Sequence, residues 1–172
     1  MSLIDMDAYL DIETTGFIGG NSYPTVVGIA VDFPSDWMVE QLVGDDITPS
    51  AIRHVLEGVT TIYTFNGSSF DLPFLAWRPG VDLRSGFEHH DLMHTCRRAG
   101  LRGGLKRIEW ALGIDRADLP DIGGSDAILL WRKYLEEQNS SALDLLLAYN
   151  RADVENLRTL REILEQSDDW RT

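Results

Sequence analysis

The chain has 172 residues, 44% of them hydrophobic, one cysteine and a formal net charge of −13 at pH 7. That length suits one domain over residues 1–172, able to bury roughly 70% of its unfolded surface without staples. The lone Cys96 excludes an internal disulfide and fits a reducing compartment. The opening MSLIDMDAYL places no basic segment before an apolar run. No apolar stretch approaches the ~20 residues of a membrane helix, so the reading is a cytoplasmic protein with no membrane contact. An acidic balance argues against nucleic acid as a partner. The distribution offsets this, since five of the fifteen basic residues, Arg97, Arg98, Arg102, Lys106 and Arg107, fall within eleven positions.

In chain order, residues 8–12 form a short apolar run that ends in a turn. Residues 25–33 and 37–43 are rich in Val and Ile and flank Pro34-Ser35-Asp36, a hairpin pattern. Thr48-Pro49 opens a helix over 50–57, with Thr48 as cap and Gly58 closing it. Residues 60–65 are β-branched and aromatic, hence a strand. Helices are expected over 90–99, 104–112, 126–137 and 142–166. Strands first and helices later indicate an α/β or α+β domain.

Strand alternation puts Tyr9, Asp11 and Glu13 on one face and Leu10 and Ile12 on the other. Two adjacent carboxylates at a strand end repel unless something positive lies between them. The last helix carries the stripe Leu146, Tyr149, Asp153, Leu157, Leu160, Leu164. Asp153 is a charge within an apolar face and requires an arginine partner or a metal. Tyr149 stands one turn before it. Asp71 follows the 60–65 strand in TFNGSSFDLPFL, where it also suits a helix cap with Pro73 in the first turn.

Taken together these residues resemble the DEDD (DnaQ-like) 3′–5′ exonucleases of the ribonuclease H-like superfamily. Asp11-Ile12-Glu13-Thr14-Thr15-Gly16 looks like the first motif of that group. Asn66 followed by Phe70-Asp71 looks like the second, and Tyr149 with Asp153 like the third, in its tyrosine subtype. FNGSSFDLPFL, His90-Asp91-Leu92, Leu105-Lys106-x-x-Glu109 and YNRADVENL are similar to the YprB-like branch. The resemblance implies a central mixed sheet, an antiparallel meander of three strands plus parallel strands, flanked by helices. It also implies two-metal hydrolysis of phosphodiester bonds in single-stranded DNA or RNA. Asp11 would bridge two Mg²⁺ or Mn²⁺ ions, Glu13 and Asp153 would complete the first, and Asp71 would serve the second through water. Hard cations of this kind favour carboxylate oxygens. Tyr149 would orient or deprotonate the attacking water. Thr14, Phe17, Asn66, Arg97, Arg98, Arg102 and Lys106 are the expected substrate contacts, with Phe17 as a stacking group at the rim. His90 and Asp91 would support the site from behind. Branch members often occur joined to other domains, so a partner protein supplying further substrate binding is also expected.

Other features point elsewhere. His89, His90, His94 and Cys96 lack the spacing of a four-ligand zinc site. Trp77, Trp110 and Trp131 lie in helical patterns and read as core rather than as base-stacking platforms. Two alternatives compete with the nuclease: a non-catalytic nucleic-acid-binding module on the same fold, and a haloacid dehalogenase-type phosphatase prompted by Asp5-Met6-Asp7.

Overall fold

The computed structural model describes residues 6–116 and 118–166. Strands β1 (Met6–Thr14), β2 (Pro24–Phe33) and β3 (Asp36–Val43) come first, followed by helix α1 (Pro49–Val55) and strand β4 (Val59–Thr64). Then come α2 (Asp71–Trp77), β5 (Glu88–Asp91), α3 (Leu92–Arg98), α4 (Leu105–Leu112), α5 (Gly124–Glu137) and α6 (Ser140–Gln166). The five strands form one mixed sheet in the order β3-β2-β1-β4-β5. β1, β2 and β3 pair antiparallel, while β4 runs parallel to β1 and β5 parallel to β4. The expected meander plus parallel strands is the arrangement that forms.

Local chemistry accounts for the elements. Pro34 and Ser35 make the β2–β3 turn, with Phe33 paired to Asp36. Thr48 caps α1 by accepting a hydrogen bond from the Ala51 N–H, and Pro49 takes the first helical position. Gly58 follows at φ +83°, a left-handed conformation that favours glycine. β2 is buried along most of its length because both sheet faces are covered there. One core joins Leu10, Ile12, Val27 and Ile29 to Ile52, Leu72 and Phe74. The core on the other face joins Tyr9 and Ala30 to Leu92, Ile108, Leu157, Leu160 and Leu164.

Three expectations are corrected. The helix expected over 90–99 begins only at Leu92. Glu88–Asp91 is instead an edge strand paired with Thr61–Thr64. Its polar sequence hides it, because an outer strand facing water has no need of alternating apolar residues. The helix for which Asp71 is one candidate cap forms as α2, but Phe70 holds the cap position and Asp71 is its first residue. Of the three tryptophans read as core, only Trp131 is buried; Trp77 is 42% exposed and Trp110 84% exposed. No described helix is long and apolar enough to cross a membrane.

Candidate active site

The site is built on the C-terminal end of β1. Tyr9, Asp11 and Glu13 face α6, and the opposite face of the strand enters the α1–α2 core. A register shift between Glu13 and Thr14 marks an irregularity at the end of the strand, a common device for re-aiming side chains beside a site. Gly28 pairs with Asp11 across the sheet. A Cβ on Gly28 would lie 2.1 Å from Asn150 Oδ1, so the glycine is what lets α6 approach this closely. Asn150 Nδ2 then donates to Asp11 Oδ2 at 3.1 Å and to the Asp11 carbonyl at 3.2 Å. Gln41 Nε2 donates to Asn150 Oδ1 at 2.9 Å, which fixes the orientation of the amide. With α6 held in this way, Tyr149 and Asp153 face the end of β1.

One carboxylate oxygen each from Asp11, Glu13 and Asp153 come within 4.8 Å of one another. Asp71 lines the same cleft but stands outside that trio. It is the first residue of α2 and not its cap, since Phe70 holds the cap position. Asp71 Oδ1 instead accepts the Ile12 N–H at 3.1 Å, which ties α2 to β1. The loop between β4 and α2 is held by buried Asp91. Its carboxylate accepts the N–H groups of Asn66 (2.8 Å) and Ser68 (3.1 Å) and caps α3 through Met93. Asp91 thus supports the site through the Asn66 loop.

Crowding four carboxylates out of water favours their neutral forms. Burial, then the charge of Asp153 and Asp71, pushes Glu13 up to about 8. Burial raises Asp71 to about 7 against the two backbone N–H groups that stabilise its anion. Asp11 is raised well above the usual carboxylate range by burial and by Asp153, Asp71 and Glu13. A group of hard oxygen donors that repel one another suits divalent cations, and Asp11, Glu13, Asp153 and Asp71 are the residues to hold them. Among the described residues, these first three make the one group of His, Cys, Asp or Glu close enough to hold an ion. Cys96 is buried within the α6 core.

Asp153 also has the arginine partner that its place on the stripe called for. Arg116 Nη2 donates to both Asp153 and Glu109, and its Nε donates to Glu109 as well. Buried Glu109 accepts a further bond from Asn156 Nδ2 at 3.0 Å. The Tyr149 hydroxyl accepts the Ile122 N–H at 3.1 Å, and the Lys106 ammonium lies 5.0 Å above its ring.

The cleft has a volume of about 550 Å³, and Thr14, Phe17, Asn66, Lys106 and Tyr149 line it with the four acids. Phe17 is 86% exposed and packs edge-on against Phe70 at 6.3 Å. The other expected contacts do not gather there. Arg97, Arg98 and Arg102 are exposed on α3 and the loop after it, outside the cleft lining. His90 stacks on Tyr63 at 5.3 Å and bonds Glu88, away from the acids. Sequence reading singled out neither Asn150, Gln41 and Gly28 nor Arg116 and Asn156. A glycine inside a strand is a signal of close backbone approach, and Gly28 carried it.

A model of the RNase H superfamily matches residues 8–165. The chain belongs to the RNase H superfamily. Among solved structures, the family B DNA polymerase of the hyperthermophilic archaeon Pyrobaculum calidifontis superposes with a TM-score of 0.74 at 19% identity, over 94% of this chain and 25% of the polymerase. Two structures of Escherichia coli exonuclease I also match. The zinc-bound complex with single-stranded DNA gives a TM-score of 0.49 at 15% identity, over 97% of this chain and 42% of that one. The complex with a dA16 oligonucleotide gives 0.45 at 16%, over 81% and 45%. This RNase H superfamily chain therefore spans less than half of each of these proteins. No curated protein sequence matches it. The polymerase superposition shows the fold. The superfamily match speaks against the phosphatase alternative. Asp7 is near the start of β1, not its C-terminal end, and is bonded to Arg161; Asp5 lies outside the described residues.

Proposed function

We propose that the chain is a divalent-metal-dependent 3′–5′ exonuclease that hydrolyses phosphodiester bonds of single-stranded nucleic acid. The observation that carries this is the convergence of Asp11, Glu13 and Asp153 within 4.8 Å, with Asp71 and Tyr149 in the same cleft. The tyrosine-type DEDD assignment, its closeness to the YprB-like branch and the 3′ polarity rest on the three motifs. Superfamily membership supports nuclease chemistry in general.

Two bound Mg²⁺ or Mn²⁺ ions would supply positive charge to the attacking and leaving oxygens of the phosphodiester. The chain's own residues do the rest. Asn150 holds Asp11 by donating to its carbonyl and to its carboxylate Oδ2. Tyr149 accepts the Ile122 N–H, so its own proton is free to be donated into the cleft. It therefore orients water or a phosphate oxygen by donating a hydrogen bond. Lys106 adds charge at the wall. Phe17, Thr14 and Asn66 form the rim, where an exposed ring suits an unpaired base. The conservative reading of the domain is one catalytic unit that works with a partner protein or domain for substrate.

The test is a digest of 5′-labelled single-stranded DNA and RNA with Mn²⁺ or EDTA, beside p-nitrophenyl phosphate. A ladder shortening from the 3′ end in Mn²⁺ alone, abolished by Asp11→Asn, is expected. Binding without cleavage in Mn²⁺ would favour the non-catalytic module.

A further inference from the structure

Helix α4 turns Ile108 and Glu109 inward, yet Trp110 beside them is 84% exposed. A single exposed apolar residue is ordinary, but this one lines a groove. The groove has a volume of about 570 Å³ and a floor of Ile114, Leu119 and Pro120. Lys106 and Tyr149 line both it and the carboxylate cleft, so the two depressions share a wall. Arg107, one helical turn before Trp110, lines the groove too. Its stem lies against the preceding loop, where a Cβ on Gly103 would come within 2.7 Å of Arg107 Cδ. No ion pair engages Arg107 among the described residues. Three acids line the groove: Glu109 is paired with Arg116, Asp121 faces Lys106 at 3.5 Å, and Asp115 is exposed to water, where its charge is screened.

We infer that a strand held in the carboxylate cleft continues into this groove, where Trp110 stacks an unpaired base and Arg107 takes a neighbouring phosphate. The inference rests on the nuclease reading for its ligand class, single-stranded nucleic acid. An exposed indole stacks any base without sequence preference, and an adjacent guanidinium supplies backbone charge; this pairing of groups is what single-strand grooves use. Continuity with the cleft argues for the same strand in both. The groove then sets how many nucleotides are gripped beyond the scissile bond, which a chain of net charge −13 cannot achieve by general attraction.

The test separates gripping from cleavage. Binding of a fluorescently labelled dT₁₂ is followed by anisotropy in Ca²⁺, and hydrolysis of thymidine 5′-monophosphate p-nitrophenyl ester is followed in Mn²⁺. Trp110→Ala should weaken dT₁₂ binding about five- to 150-fold, the range measured for one stacked base, and Trp110→Phe should restore most of it. Arg107→Gln should lower the salt slope of dT₁₂ binding by roughly 0.7, as for one lost single-strand phosphate contact. None of the three variants should alter ester hydrolysis. Unchanged dT₁₂ affinity in Trp110→Ala, with the ester still cleaved, overturns the groove and leaves the nuclease standing. Loss of ester hydrolysis alongside binding would mean that Trp110 is structural and also overturns it. A wild type that binds dT₁₂ through Trp110 but cleaves nothing in Mn²⁺ sinks the nuclease reading and keeps the groove. A wild type that does not bind dT₁₂ at all overturns the groove and leaves a protein surface as the occupant of Trp110.

Discussion

At the residue scale, Tyr149 and Gly28 do opposite kinds of work. Tyr149 faces the cleft, and its hydroxyl already accepts a backbone N–H. Tyr149→Phe removes one oxygen and keeps the ring under Lys106. It should lower kcat by about 10²-fold, the low end for a positioned proton donor, with Mn²⁺ affinity nearly intact. Asp153→Asn should reduce both, because it removes a candidate ligand. The measurement is single-strand turnover at saturating Mn²⁺ beside a metal titration, and full turnover in Tyr149→Phe would remove the residue from the mechanism. Gly28→Ala acts from beneath. Its new methyl would collide with Asn150, and overpacking of this kind costs typically about 1–3 kcal/mol. Thermal melting should fall by about 2–4 °C per kcal/mol in a chain of this length. Activity should fall further than stability, since Asn150 is what holds Asp11. The acids and Tyr149 were legible in the sequence because chemistry restricts which residue types stand at those spacings. Asn150, Gln41 and Arg116 were not, because they act by touching residues far along the chain, and spacing reports only local neighbours.

At the element scale, the stripe on α6 and the alternation on β1 were legible because each buries one face. β5 and the start of α2 were not. β5 is four polar residues at a sheet edge, and α2 is seven residues whose first, Asp71, looked like a cap. The loop between α4 and α5 shows the same limit, since Arg116 there binds two acids on two different helices. Its guanidinium is the main partner of buried Glu109. Arg116→Ala leaves that acid with only the Asn156 amide, and breaking such a buried pair costs about 3–5 kcal/mol. The double variant Arg116→Ala with Glu109→Gln should recover much of this, as read by urea denaturation. If the single variant is as stable as wild type, the network holds nothing together.

At the scale of the whole molecule, the carboxylates couple stability to pH and to metal. Glu13 is raised to about 8 and Asp71 to about 7 by burial and mutual charge. The metal-free folded protein keeps protons there that the unfolded chain has released. Their stabilising contribution is complete below the ordinary carboxylate range and is lost as pH rises through about 7–8. The EDTA-treated protein should therefore melt lower at about pH 8 than at about pH 6, other groups being equal. Mn²⁺ should reverse that loss, with about 2.7 kcal/mol of stabilisation at a hundred times its dissociation constant. A melting curve indifferent to millimolar Mn²⁺ at about pH 8 would count against cations in the cleft. The order of elements along the chain has one further consequence. Asn150 and Asp11, which close the site together, are 139 residues apart. Synthesis proceeds from the N-terminus, so Asp11 and Glu13 leave the ribosome before Tyr149 and Asp153. Until α6 docks, Asp11, Glu13 and Asp71 lack both Asp153 and Tyr149 beside them. The acidic trio is therefore completed only when α6, the last described element, folds back onto the first strand.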